Sequence, residues 1–284
     1  MKFTTLIMAL FFLPFSATAQ DEIPGYEIYI AEIGDDSAAP VNITDREGYD
    51  NQPAFSADGR HLYYTRMEAD GQTELWDYDL ESAKHTRLTN TAESEYSPTP
   101  VPGSQNLSMV RVEADMKQRL WQLDPGDGSL SLLLPEIEPV GYHAWLGADS
   151  VALFLLPEPF SLVIAATDGE LTTVADNIGR SLHVHPVSKA LLYVDQSATP
   201  WRIMALDTRS HEHEPLAELF PAQEDFTVSS SGTLWTGLDS KLYKFPAGAG
   251  DWQQVADFAD HGIAGITRIA VSPDEKQVAL VAVE

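Results

Sequence analysis

Two sets of residues recur along the chain at intervals of 39 to 45 residues and carry the side-chain types that could do chemistry. One set is Asn51, Tyr96, Gly141, Arg180, Glu224 and Thr267; the next position gives Gln52, Ser97, Tyr142, Ser181, Asp225 and Arg268. Asp50 and Glu95 precede these sets, and His143 and His183 follow them closely. Polar, aromatic and charged types thus converge where an ordinary packing layer would hold Val, Ile or Ala. Such a convergence in a concavity is a binding-site signature. The plainer alternative is that these groups satisfy buried backbone partners and hold water.

Other chemistries find less support. Asp50, Glu95, Glu224 and Asp225, with Asn51 and Gln52, are the hard oxygen donors calcium prefers. No D-x-D-x-D-G loop occurs, however, and Arg180 and Arg268 share the same rings, so calcium in the channel is the weaker reading and salt bridges the stronger. His183 and His185 lie two apart on one strand face, but zinc needs further ligands that the sequence does not bring there. The segment SHEHEPL around His211–Glu214 reads as a solvated hairpin loop. There is no G-x-S-x-G elbow, no H-E-x-x-H and no Cys, so a nucleophile-based enzyme is disfavoured. The best enzyme alternative is a metal-dependent hydrolase, of the lactonase kind, using channel carboxylates.

The elements that must position these residues follow from self-comparison. The stretch YDNQPAFSADGRHLYYTR, anchored on Phe55, has weaker copies anchored on Pro100, Trp145, Val184, Val228 and Val271, at spacings of 45, 45, 39, 44 and 43 residues. Apolar residues alternate in short runs broken by Gly, Asp, Ser and Pro, the pattern of strands and hairpins. Each copy precedes a second hairpin, so one unit is four short antiparallel strands, the size of a propeller blade. One unit cannot bury both faces of its sheet, and stacking the units in a ring solves that. The sixth copy stops after two strands, and YEIYIAEIGDDSAAPVNITD near the start is a hairpin lacking its inner half. The expected fold is therefore all-β: a six-bladed propeller of four-stranded antiparallel blades, closed by strands from both ends of the chain sharing one blade. Trp76, Trp121 and Trp201 fall in or at the start of third strands, where inter-blade packing is the expected role.

The Ser56-Ala57-Asp58-Gly59 turn, the apolar strand after it and the later RLTN (87–90) resemble the repeat of the TolB-like propellers, a WD40-like (PD40) repeat. The resemblance spans nearly the whole chain after the leader. It is specific in the first copy and in Ser272-Pro273-Asp274 of the last, and loose between them. It implies a periplasmic or secreted binding protein with partners in the cell envelope. TolB carries an α/β domain before its propeller, whereas about six residues separate Gln20 from the first strand here, so only contacts made by the propeller itself, to the lipoprotein Pal or another partner, are implied.

Composition fits a secreted protein. Lys2, the apolar run from Leu6 to Phe15 and Ala17-Thr18-Ala19 have the order of a signal peptide cleaved after Ala19, leaving 20–284 as the propeller. The run is shorter than the roughly 20 residues of a membrane span. The net charge of −26, spread along the chain, disfavours nucleic acid, whose phosphates need clustered Lys and Arg. Without Cys the core itself must hold the fold, which a chain this long can do. Asn42-Ile43-Thr44 and Asn106-Leu107-Ser108 match the glycosylation sequon, which matters only in a eukaryotic host. The sequence-level conclusion is a monomeric, cofactor-free binding or scaffold module. It would dock a protein segment or small polar ligand at the channel mouth, near Asp50, Asn51, Gln52, Glu95, Tyr96, Tyr142, His143, Arg180, His183, Asp225 and Arg268.

Overall fold

The computed structural model describes residues 25–34, 38–167 and 169–283. The leader expected from the sequence, with its cleavage after Ala19, lies outside the described residues. The first described strands, β1 (Tyr26–Glu32) and β2 (Val41–Asn42), form the outer half of a blade. Five complete blades follow: β3 (Asp50–Phe55) to β6 (Lys84–Arg87), β7 (Ser94–Pro100) to β10 (Leu130–Leu132), β11 (Val140–Gly147) to β14 (Leu171–Asp176), β15 (Ile178–Val184) to β18 (His213–Glu218), and β19 (Thr227–Val228) to β22 (Gln253–Asp257). The last strands, β23 (Ile266–Val271) and β24 (Gln277–Val283), pair back onto β1, giving the sheet order β2-β1-β24-β23. The six-bladed ring and its shared closing blade are as the repeats predict. The clasp is a continuous antiparallel ladder from Tyr26 opposite Val283 to Glu32 opposite Gln277.

The best-preserved repeats share one turn. Ser56 donates from its hydroxyl to Asp58 Oδ1 at 2.6 Å while its Oγ accepts the amide of His61 at 3.0 Å. In the last blade Ser272 donates to Asp274 at 2.8 Å and accepts the amide of Gln277 at 2.9 Å. The turn needs a left-handed residue, supplied by Gly59 (φ 70°) in the first copy and by Glu275 (φ 59°) in the last. Glu275 holds that conformation while its carboxylate accepts from the Ser230 hydroxyl (2.7 Å) and the Ser231 amide of the neighbouring blade.

The core is distributed between blades. Six apolar clusters occupy the six junctions: Leu75 meets Leu107 and Met109, Val110 meets Val140 and Val151, and Phe154 meets Leu182 and Tyr193. Continuing round, Val194 meets Phe226 and Leu234, Trp235 meets Val278 and Leu280, and Ile28 meets Leu62 and Tyr64. The period of two in β24 is visible here, since Val278, Leu280 and Ala282 enter one cluster and Ala279 and Val281 the other. Trp76 packs against the junction of the closing and first blades, and stacks under Arg66 with 4.5 Å from guanidinium carbon to ring. Trp121 repeats the arrangement with Arg111 at 4.7 Å, and Trp201 packs at the junction of the fourth and fifth blades. Among the described residues no helix is long and apolar enough to cross a membrane.

Candidate functional site

The recurring polar positions coincide with irregularities in the inner strands. Pairing to the second strand shifts register between Asn51 and Ala54, Tyr96 and Thr99, Val140 and Tyr142, Ile178 and Leu182, and Ile266 and Arg268. Gln52 and Ser97 lie at these shifts in the left-handed region, φ 58° and 57°. A bulge breaks the strict alternation of a strand and re-aims side chains. Here it turns consecutive residues toward the ring axis or the next blade.

One group of these residues stitches the blades together. Gln52 Oε1 accepts the Ser97 amide at 2.7 Å and the Thr65 hydroxyl at 2.8 Å. Ser181 Oγ accepts the Phe226 amide at 3.4 Å, and Asp225 Oδ2 accepts the Ile269 amide at 3.0 Å. The bonds to the Ser97, Phe226 and Ile269 amides each join residues one repeat apart, so the plainer reading of the sequence describes Gln52, Ser181 and Asp225. Asp50 and Glu95 are also occupied elsewhere. Asp50 is buried on Arg46 at 2.6 Å; burial still lifts its carboxyl to about 6 against that guanidinium. Glu95 accepts the Thr91 hydroxyl at 2.7 Å and lies 3.1 Å from Arg111. Asn51 accepts the amide of Gln52. Tyr96 lies in β7, beside these stitches, with its hydroxyl raised above its ordinary value by burial.

Tyr142, His143, Arg180, His183 and Arg268, together with the stitching residues Gln52, Ser97, Ser181 and Asp225, line a cavity on the ring axis. It has a volume of about 430 Å³, within the range of small-ligand sites. Its rim is formed by the blade turns, where Ala57, Pro102 and Pro273 are exposed, and its inner end by Tyr142, Arg180, Ser181, Asp225 and Arg268. Of the residues expected at the mouth, Gln52, Tyr142, His143, Arg180, His183, Asp225 and Arg268 line this cavity and Asp50, Asn51, Glu95 and Tyr96 do not, while Ser56 and Ala57 of the SADG turn line it as well. Arg268 donates from Nη2 to Tyr142 Oη at 3.4 Å, with its guanidinium carbon 5.3 Å from the Tyr142 ring. Arg180 donates to the Thr267 carbonyl at 3.3 Å, and its Nε lies 3.3 Å from Glu224. Burial raises the Tyr142 phenol, but Arg268 and Arg180 outweigh it and hold the hydroxyl below its ordinary value. At Asp225 burial wins over the same two guanidiniums and raises the carboxyl.

Both histidines of the cavity are neutral near neutrality. Burial lowers His143 to about 3; its Nε2 lies 2.7 Å from Ser108 Oγ, which also accepts the Trp145 indole N–H at 2.8 Å. Burial lowers His183 to about 4 although its Nε2–H donates to the Phe226 carbonyl at 2.7 Å. Ser108 is fully buried, so the Ser108–His143 pair presents no accessible nucleophile. His185 stands at the following turn, its Nδ1 accepting the Ser188 amide. His213, expected in a solvated loop, is in β18 and bonds Tyr193 Oη at 2.8 Å, as His85 bonds Tyr64 in the first blade. Among the described residues no three His, Asp or Glu side chains converge as a metal centre requires. The signals missed by sequence were Thr65, Ser108 and Trp145. Ser108 and Trp145 are joined to His143, and only the fold brings them together.

No family model matches the chain. A curated relative, an uncharacterized protein of Agrobacterium fabrum, is 28% identical over 99 residues, and the match takes in 35% of this chain. The chain spans about a third of the length of that relative. Among solved structures, a putative TolB from Agrobacterium tumefaciens superposes with TM-score 0.74 at 15% identity, covering 92% of this chain and 99% of the other. A gluconolactonase from Xanthomonas campestris superposes with TM-score 0.65 at 14% identity, covering 95% and 99%. At these identities the likenesses establish the TolB-like six-bladed propeller fold and nothing finer. The fold is shared by a TolB protein and an enzyme, so it does not choose between them.

Proposed function

We propose that the chain is a non-enzymatic binding module of the periplasm or the secreted space, taking a small polar ligand or the end of a protein segment into its channel. The observation that carries this is the axial cavity, whose lining gathers Tyr142, Arg180, His183 and Arg268 beside the stitching residues. These groups are donors and aromatic faces on a ring locked by inter-blade bonds and by the clasp, which suits preorganised docking. The two cavity histidines, His143 and His183, are proton acceptors too weak for general base catalysis near neutrality. Envelope proteins are the partner class that the TolB-like fold supports.

The test follows the Trp145 indole in protein labelled with ¹⁵N-tryptophan, with Trp145→Phe giving the assignment. Acetylated tetrapeptides, organic acids and sugars are titrated in turn. At least one class is expected to move the Trp145 signal in a saturable way. Binders that moved only the signals of Trp76, Trp121 or Trp201 would place recognition on the outside of the ring and overturn the proposal. Elemental analysis before and after chelation addresses the enzyme alternative. A stoichiometric metal whose removal lowers the melting midpoint would put the hydrolase first.

A further inference from the structure

We propose that the inner end of the channel is a carboxylate-binding site, with the guanidinium of Arg268 as its docking group and Arg180 beside it. This rests on the channel being the binding surface and adds the chemical class of what it binds.

Three charged side chains line the cavity: Arg180, Asp225 and Arg268. Asp225 has both oxygens in use, Oδ2 on the Ile269 amide and Oδ1 on the Ser181 hydroxyl at 3.3 Å. Arg180 is engaged by Glu224 and by the Thr267 carbonyl. Arg268 differs. Its one bond is a long one to the Tyr142 hydroxyl, its Nε, like that of Arg180, is buried without a hydrogen-bond acceptor, and unlike Arg180 it has no carboxylate within 4.0 Å among the described residues. A guanidinium offers five donors in a fixed fork, and a buried donor left without an acceptor is costly. A carboxylate supplies two acceptor oxygens in the geometry that fork matches. In a chain of net charge −26, one guanidinium left unpaired on the axis stands out against its surroundings.

The charge count limits the ligand further. One unpaired guanidinium balances one negative charge, which favours a monoanion over a doubly charged phosphate. The lining also carries apolar surface from Pro53, Phe55, Pro98 and Phe226, interspersed with Ser97, Thr99, His143 and His183. A carboxylate carried on an apolar body fits both regions. Two sources share that chemistry, a free organic acid and the C-terminal carboxylate of a peptide entering end first.

The test compares matched acids and amides by titration calorimetry. The probes are benzoate against benzamide, and an N-acetylated Ala-Ala-Ala-Phe peptide with a free or amidated C-terminus. At least one acid is expected to bind about tenfold or more tightly than its amide, the preference falling as salt is raised. Benzoate alone would identify the source as a free acid, and the peptide acid alone as a chain end. Arg268→Gln is expected to erase the preference and Arg268→Lys to retain part of it. Should Arg268→Gln fail to fold, the salt dependence in the wild type and the lysine variant decide. Acid and amide binding equally would overturn the carboxylate assignment while leaving the channel as a binding surface. A preference that survived in folded Arg268→Gln would overturn the role of Arg268. Absence of binding by all four probes would overturn the site as assigned, and the Trp145 titration would then decide whether the channel binds anything else.

Discussion

Arg268 and Tyr142 stand on opposite sides of the ring, three blades apart, and meet across the channel at 3.4 Å. Neither residue is near the other in sequence, and each is turned inward by a register shift in its own strand. Both side chains line the cavity. Their contact is also where the electrostatics of the site are set.

The first prediction concerns that phenol. Tyr142 loses its proton below the ordinary tyrosine range because Arg268 and Arg180 outweigh burial. In Arg268→Gln burial faces only Arg180, and the ionisation moves upward. Ultraviolet absorbance of phenolate, read as wild type minus Tyr142→Phe, follows the group. An unchanged Tyr142 ionisation in Arg268→Gln would show that the two side chains are not coupled.

A second prediction concerns Glu95 at the junction of the first two blades. Burial pushes its carboxyl up to about 8, against Thr91 and Arg111 and with the Glu74 carboxylate adding to the rise. The folded state holds this proton more tightly than the unfolded chain. The stability it contributes is therefore complete below the ordinary carboxylate range and is lost as pH rises toward about 8. Glu95→Gln cannot ionise, and should flatten that loss and raise the melting midpoint at pH 8 by about 3 °C. Parallel pH profiles for the two proteins would refute this.

Glu275 makes a backbone prediction. Its left-handed conformation costs a non-glycine residue roughly 1 kcal/mol, while its carboxylate ties the last turn to Ser230 and Ser231. Glu275→Ala keeps the cost and loses the bonds, so it should destabilise by about 1–2 kcal/mol. Glu275→Gly loses the same bonds but relieves the backbone, and should be about 1 kcal/mol more stable than the alanine variant. Urea unfolding of the pair checks the difference; an alanine variant as stable as glycine would rule out strain at this position.

The clasp predicts cooperative loss. Leu280 is fully buried in the closing blade, and Leu280→Ala should cost about 3 kcal/mol. Amides of β1 and β24 should exchange only with the slowest class, since opening that ladder opens the ring. Hydrogen exchange mass spectrometry reads this directly. Fast local exchange across 277–283 would mean the ends are frayed and the closure is not structural.

Much of this was legible in the residues. The six anchors all fall on inner strands: Phe55, Pro100, Val184, Val228 and Val271 at their ends and Trp145 within β11. Strand period and turn chemistry are local properties, so they survive in a sequence read alone. The bulges are not local in that sense. Aligned positions alone do not tell Gln52 and Asp225, whose oxygens accept an amide of the next blade, from Tyr142 and Arg268, which meet across the cavity. Asp50 and Glu95 went to Arg46 and Thr91 because those partners lie on neighbouring loops that aligned positions do not show. The direction of the cavity was also hidden, since burial at one end and exposure at the other depend on how all six blades converge.

The central claim is that a ligand occupies the axial cavity, and a single reporter tests it most directly. The chain has no Cys, so Val271→Cys in the cavity wall and Lys84→Cys on an outer strand each give one thiol. Their alkylation by N-ethylmaleimide is timed with and without saturating benzoate or the tetrapeptide acid. The account predicts slowed alkylation at position 271 and an unchanged rate at position 84. Equal rates at position 271 with and without a bound ligand would contradict it.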